Sequence, residues 1–190
     1  LSQLADYDRM AAAVGRRLPY HLKIDTGMGR LGLAAHPARV VETVQSCAHA
    51  HLDGLMTHFA SAANYESAQT PSQIAEYARV LSALNAAGIS PRCCHLSSTI
   101  PVAYGRREAW GNMVRPGHAI YGYVSPARGN APSPVLSVQP AMNWKARILQ
   151  VKDLPAGSLV GYGGIFRCER PSKIAVLAVH ALCGELRCKA

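Results

Sequence analysis

Lys23, Arg30, His58, His95 and Arg115 each fall at or just beyond the carboxyl end of a stretch that alternates like a short strand. In an α/β barrel such ends converge on one mouth, the place where that architecture carries its chemistry. Two arginines, a lysine and two histidines there suit an anionic ligand such as a phosphorylated cofactor. Gly117, ahead of a short turn, could offer backbone N–H groups to the same anion. Taken singly, each histidine reads more simply as a hydrogen-bonded structural residue, and the loop after His21–Asp25 as an ordinary strand-to-helix turn with a surface ion pair. Their common strand-end position raises the joint reading.

Alternating elements must hold these groups. Residues 1–17 read as a helix that Gly15 and Pro19 stop, and His21–Asp25 as a strand entering the loop Thr26-Gly27-Met28-Gly29. Pro37–Ala48 reads as a helix with Val40, Val41 and Val44 on one face, and His51–Phe59 as a strand. Thr70-Pro71-Ser72-Gln73 has the form of a helix start with Thr70 as N-cap and Gln73 reaching back to it, and Ile74, Tyr77, Leu81 and Leu84 form the buried stripe of a helix running to Ala87. Pro91–Leu96 is expected as a strand, Ser98–Tyr104 as a short helix, and Met113–Tyr123 as a strand interrupted at Pro116-Gly117. Strand and helix in turn argue for parallel βαβ units. Past a linker rich in proline and glycine at 125–134, the helical period disappears. Val135–Gln139, Met142–Val151, Ser158–Tyr162 and Ile174–Ala178 read as strands of a β-rich second domain.

Twenty Lys and Arg against eleven Asp and Glu leave a net charge of +9, which makes nucleic acid a candidate partner. The charge is scattered, however, and no base-stacking aromatics accompany Arg16-Arg17 or Arg106-Arg107, so solvated surface charge is the simpler reading. The six cysteines form no Cys-x-x-Cys pair, which argues against a zinc site and for a reduced, cytoplasmic setting. No apolar run reaches the roughly 18 residues of a membrane span. At 190 residues the chain is shorter than the about 250 of a complete eight-stranded barrel, so a barrel here is expected to be partial.

The stretch His21-Leu22-Lys23-Ile24-Asp25-Thr26-Gly27-Met28-Gly29-Arg30-Leu31-Gly32 resembles the central signature of bacterial alanine racemases. Gly54-Leu55-Met56-Thr57-His58-Phe59-Ala60, then Arg115-Pro116-Gly117 with Tyr121-Gly122, then Gly161-Tyr162-Gly163-Gly164 follow in the order that family shows. The resemblance implies an α/β fold: a partial TIM-type barrel, residues 1–133, followed by the start of a mainly-β domain, residues 134–190. It implies pyridoxal 5'-phosphate held as a Schiff base, alanine as substrate, a homodimer, and D-alanine supply for peptidoglycan. Arg30 matches the arginine at the cofactor's phenolic oxygen and the substrate carboxylate, and Lys23 the often carbamylated lysine that holds it. His58 matches the histidine near the cofactor ring, and Arg115 the arginine facing the pyridine nitrogen. Gly117 and His118 match backbone contacts to the phosphate. Ser98 and Thr99 stand where the family has Asn and Ser; Thr99 can still serve the phosphate, while Ser98 leaves a serine-accepting or broad-specificity racemase as an alternative. A non-catalytic barrel protein that binds pyridoxal phosphate is another.

No catalytic base of the family matches a residue of this chain, and no metal site is implied. The Schiff-base lysine is expected upstream of Leu1. The catalytic tyrosine belongs to a Gly-Tyr-Ala-Asp-type motif expected after Val179, where His180–Ala190 reads instead as a frameshifted or misassembled tail. The expectation is therefore a fragment, inactive by itself and exposing an unpaired sheet edge.

Overall fold

The computed structural model describes residues 2–143 and 145–179, so the expectation for the 180–190 tail lies outside the described residues. The chain divides into two compact units, Leu1–Ala141 and Met142–Ala190.

The first unit opens with helix α1 (Ser2–Val14), closed by Gly15 at φ +66°. Then come β1 (Leu18–Asp25), β2 (Leu33–Ala34), α2 (Pro37–Gln45), β3 (Ala50–Met56), α3 (Gln69–Ala86), β4 (Cys93–His95) and the short α4 (Thr99–Ala103). The strands form a sheet of order β2-β1-β3-β4, and every pairing is parallel. Strand, crossover helix and parallel strand are the units of an α/β barrel wall, as the alternation of periods foretold. Ile24 of β1 and Leu52 and Leu55 of β3 pack on Val40 and Val44 of α2 and on Tyr77, Val80 and Leu84 of α3 to make the core. Pro37 opens α2, where a missing N–H costs nothing.

The start of α3 departs from expectation. Its N-cap is Ala68, with no side-chain cap bond, so Thr70 lies inside the first turn and the Thr70–Gln73 capping box does not form. Pro71 is still tolerated, because first-turn N–H groups lack helical partners. Gln73 lies on the buried face beside Tyr77 instead and faces the strand ends.

Met113–Tyr123 is not a strand. Pro116 has no N–H to give a ladder, and the backbone here meets the strand ends through single bonds: Asn112 N–H, just before the segment, to Cys94 O at 3.0 Å and Arg115 N–H to Ser97 O at 2.9 Å. A 3₁₀ turn, His118–Tyr121, follows, and Gly122 at φ +76° ends it. Val135–Gln139 also joins no ladder; Val135 and Leu136 both donate to Ala103 O.

In the second unit β5 (Ile148–Leu154) pairs antiparallel with β8 (Ser172–Leu177), and β6 (Leu159–Val160) with β7 (Phe166–Arg167). It is mainly β, though its strands are shorter than the alternation suggests: Gly161 and Gly163, both at positive φ, turn the chain into a 3₁₀ turn at Tyr162–Gly164. Cys168 is the one fully enclosed residue among those described there.

Candidate functional site

β1, β3 and β4 run in register, Lys23 beside Met56 and Met56 beside His95, so their carboxyl ends lie side by side. The half-buried Arg115 side chain lies across those ends. Its Nη1 donates to His95 O at 2.8 Å and to His95 Nδ1 at 2.7 Å. Its Nη2 donates to Thr57 O at 2.7 Å and Leu96 O at 3.2 Å, with His58 Nδ1 at 3.4 Å. A planar fork of donors finds in-plane acceptors on two strand ends, a geometry a lysine ammonium cannot reproduce. Burial lowers the guanidinium's proton affinity, yet an arginine stays charged.

This fixed cation governs the histidines. His95, 2% exposed, is pushed down to about 4 by burial, then by Arg115 and His21. His58 is likewise held below its ordinary value by burial first, then by Arg115, Arg30 and Lys23. Both rings are therefore neutral at pH 7 and can accept hydrogen bonds from a cation.

The loop after β1 is held by one carboxylate. Asp25 Oδ1 accepts the N–H groups of Gly27, Met28 and Gly29 at 3.0, 2.8 and 3.2 Å, and these bonds, Gly27's above all, hold the acid below the usual carboxylate range. Gly32 at φ +127° lets the returning chain pass close to β1, since a Cβ there would stand 3.0 Å from its backbone. Lys23 Nζ donates to Leu31 O at 2.5 Å, next to Arg30, whose exposed side chain makes no ion pair among the described residues.

Gln73 ties this loop to the end of β3. Its Nε2 donates to Thr26 Oγ1 at 3.1 Å and His58 O at 3.0 Å, while its Oε1 accepts from Ala60 N–H at 3.0 Å. Thr26 and Thr57 share a hydroxyl bond at 2.7 Å. The Gln73 carboxamide and the Thr26 and Thr57 hydroxyls thus all find partners, and the network sets where His58 stands.

At the start of α4 the Thr99 hydroxyl, nearly fully buried, accepts the N–H of Gly117 at 2.9 Å and of Ala119 at 3.3 Å. His118, between them, is exposed and sets its ring against Tyr123, the centroids 5.9 Å apart. Ser98 is the half-buried N-cap of α4 and makes no capping bond. The structure therefore groups Arg115 with His58 and His95, Thr99 with Gly117, and Lys23 with the backbone beside Arg30. Two residues that touch this group were not singled out from the sequence as part of it: Gln73, which bonds the His58 carbonyl, and His21, whose Nδ1 lies 2.8 Å from His95 Nε2. A glutamine on an otherwise buried helical stripe is the signal that would have found the first.

The donors assembled here, a charged guanidinium and a hydroxyl that accepts two backbone N–H groups and keeps its own proton to give, suit a ligand with a phosphate and an aromatic nitrogen. Two family models match the chain: "Alanine racemase, N-terminal domain" over residues 1–126 and "Alanine racemase, C-terminal domain" over residues 141–180. An alanine racemase of Halothermothrix orenii is 35% identical over 173 residues, 90% of this chain and 45% of that protein. A crystal structure of alanine racemase from E. faecalis, 31% identical, superposes with a TM-score of 0.62 over 85% of this chain and 42% of that one. That of the enzyme from D-cycloserine producing Streptomyces lavendulae, 29% identical, gives 0.68 over 91% and 46%. The chain thus spans about half the length of the relatives it matches.

Proposed function

The chain belongs to the alanine racemase family, and from that premise we propose that it supplies the pyridine-nitrogen and phosphate side of a pyridoxal 5'-phosphate site in an enzyme interconverting L- and D-alanine. The observation that carries this reading is Arg115, pinned across two strand ends beside neutral His58 and His95, with Thr99 and Gly117 nearby in sequence register with the family. The residues present fit the group. Thr99, the backbone of Gly117 and His118, and Ser98 would hold the phosphate; Arg115 would face the ring nitrogen, with His58 near the ring. Bound there, pyridoxal phosphate supplies an electron sink that acidifies an amino acid's α-hydrogen.

The protein's part is electrostatic. Arg115 cannot give up its proton at neutral pH, so it offers a hydrogen bond to a ring nitrogen without protonating it. That tempers the sink and restrains side reactions of the carbanion. Arg30, steadied through Lys23 and the loop that Asp25 braces, would take the substrate carboxylate and the phenolic oxygen. No residue here is assigned proton transfer at the α-carbon. The 190 residues by themselves are expected to bind the cofactor without covalent capture or turnover.

We place residues 1–133 in the barrel and 134–190 in the β-domain of that enzyme, a cytoplasmic homodimer supplying D-alanine to peptidoglycan. Among the described residues no helix is long and apolar enough to cross a membrane. A serine-accepting racemase is the second reading, favoured by Ser98. The test is equilibrium dialysis of this chain against pyridoxal phosphate with Arg115→Leu and Thr99→Val as controls. Saturable binding weakened in both variants, with no adduct after borohydride, is expected. Absence of binding, or a stable phosphopyridoxyl adduct on Lys23, would overturn it. D-alanine or D-serine formation by the enzyme containing this segment separates the two substrates.

A further inference from the structure

A path of side-chain contacts leads from Arg115 through His95, His21 and Asp53 to Arg92. Arg115 Nη1 can only donate, so His95 Nδ1, 2.7 Å away, must be the unprotonated nitrogen of its ring. The proton of neutral His95 then sits on Nε2, which lies 2.8 Å from His21 Nδ1. His21 must accept there, which leaves its own proton on Nε2, 3.4 Å from Asp53 Oδ2. Asp53 in turn takes a bidentate pair from Arg92, at 2.9 and 2.8 Å. The two ring-nitrogen hydrogen bonds admit one assignment of protons for a neutral His95, and that assignment turns the His21 Nε2–H toward the Asp53 carboxylate.

The backbone is built for it. β1 and β3 slip register between Tyr20 and His21, which sets His21 opposite Gly54. A Cβ on Gly54 would stand 2.6 Å from the His21 ring, so the imidazole has room to lie over that strand only because the residue is glycine. Arg92 holds Asp53 well below the usual carboxylate range, which keeps an acceptor at the end of the line. His21, Asp53 and Cys93 also stand close enough to share a cation. Both His21 nitrogens and both Asp53 oxygens already have partners, however, and the same geometry serves the line of hydrogen bonds.

We propose that His21 and Asp53 are positioning residues for Arg115: Asp53 sets the tautomer of His21, His21 sets that of His95, and His95 thereby presents a bare Nδ1 that holds the guanidinium across the strand ends. The role of Arg115 rests on the reading given above, whereas the proton assignment rests on this chain alone. With Asp53 replaced by Asn, the amide N–H can donate to His21 Nε2, and the line loses its single direction. The Arg115 fork is then less firmly held.

Long-range ¹H–¹⁵N spectra of the histidine-labelled chain at pH 7.5 test this, with the signals assigned by His21→Gln and His95→Gln. The expected spectrum has His21 and His95 both as the Nε2–H tautomer. In Asp53→Asn the His21 signals move toward the Nδ1–H pattern and those of His95 shift with them, whereas Arg92→Gln, which removes only the ion pair, leaves both tautomers unchanged. Asp53→Asn is also expected to weaken pyridoxal phosphate binding at least threefold. An Nδ1–H His21 in the unaltered chain overturns the proposal without any variant, as do tautomers that ignore Asp53→Asn. Failure of pyridoxal phosphate to bind while the tautomers are as expected refutes the cofactor reading and leaves the relay standing.

Discussion

Replacing Gln73 by Met removes polar atoms and nearly conserves volume, so it isolates what the carboxamide does. The side chain is 1% exposed and makes three hydrogen bonds, to Thr26, His58 and Ala60. A net hydrogen bond contributes about 1 kcal/mol, and a buried group left unpaired costs about 1–3 kcal/mol. The Ala60 N–H belongs to an exposed residue and can turn to water, and Thr26 keeps its bond to Thr57. The orphaned His58 carbonyl has no such remedy among these contacts. After allowing for the apolar burial that Met regains, the expected loss is about 2 kcal/mol, mostly from His58. In urea unfolding followed by circular dichroism, a slope of about 2 kcal/mol/M turns this into a midpoint shift of about 1 M. In a double-mutant cycle with Thr26→Val, a coupling of about 0.5–1 kcal/mol is expected, because the two changes remove one shared bond. A Gln73 that merely capped its helix would show no such coupling. A midpoint shift below about 0.2 M at constant slope, or strict additivity with Thr26→Val, refutes the network as drawn.

His95 makes the fold acid-sensitive. Its folded value of about 4 lies below the ordinary 6.5, so the unfolded state binds the proton first; the stabilisation is full above 6.5 and fades as pH falls toward 4. The difference of about 2.5 logarithms, at about 1.36 kcal/mol each, sets a ceiling of about 3 kcal/mol. Urea midpoints at pH 7.5 and 5 should show a drop that is smaller in His95→Gln. Gly54→Ala would press a Cβ against the His21 ring, and a loss of about 1–3 kcal/mol is expected in thermal unfolding, with relief in the double variant Gly54→Ala/His21→Ala. Asp25→Ala removes the acceptor of three loop N–H groups, and trypsin cleavage after Arg30 should speed up several-fold in limited proteolysis while the midpoint changes little.

Much of the fold was legible before any coordinates. The valines of α2 and the Tyr77–Leu84 stripe of α3 repeat at helical spacing because one face of each packs on the sheet, and apolar burial enforces that repeat. The parallel strands were legible as short alternating stretches between helices. The errors came where two local rules competed. Thr70-Pro71-Ser72-Gln73 satisfies a capping pattern, yet the strand ends offered Gln73 three hydrogen-bond partners and the helix began two residues earlier. Met113–Tyr123 alternates like a strand, but Pro116 denies a ladder bond.

The sequence by itself determined the family, through motifs whose glycines and charged residues stand at set spacings, and with it the residues of the proposed site: Lys23, Arg30, His58, Thr99, Arg115 and Gly117. Only the tertiary structure decided how they work together. Thr57, His95 and Leu96 meet Arg115 because parallel strands bring residues 58, 20 and 19 positions from it to neighbouring strand ends. The direction of the protons from Arg115 to Asp53 depends on distances of 2.7 to 3.4 Å that no linear spacing encodes. Hydrogen bonding is short-ranged and directional, so it is resolved only when the chain has folded.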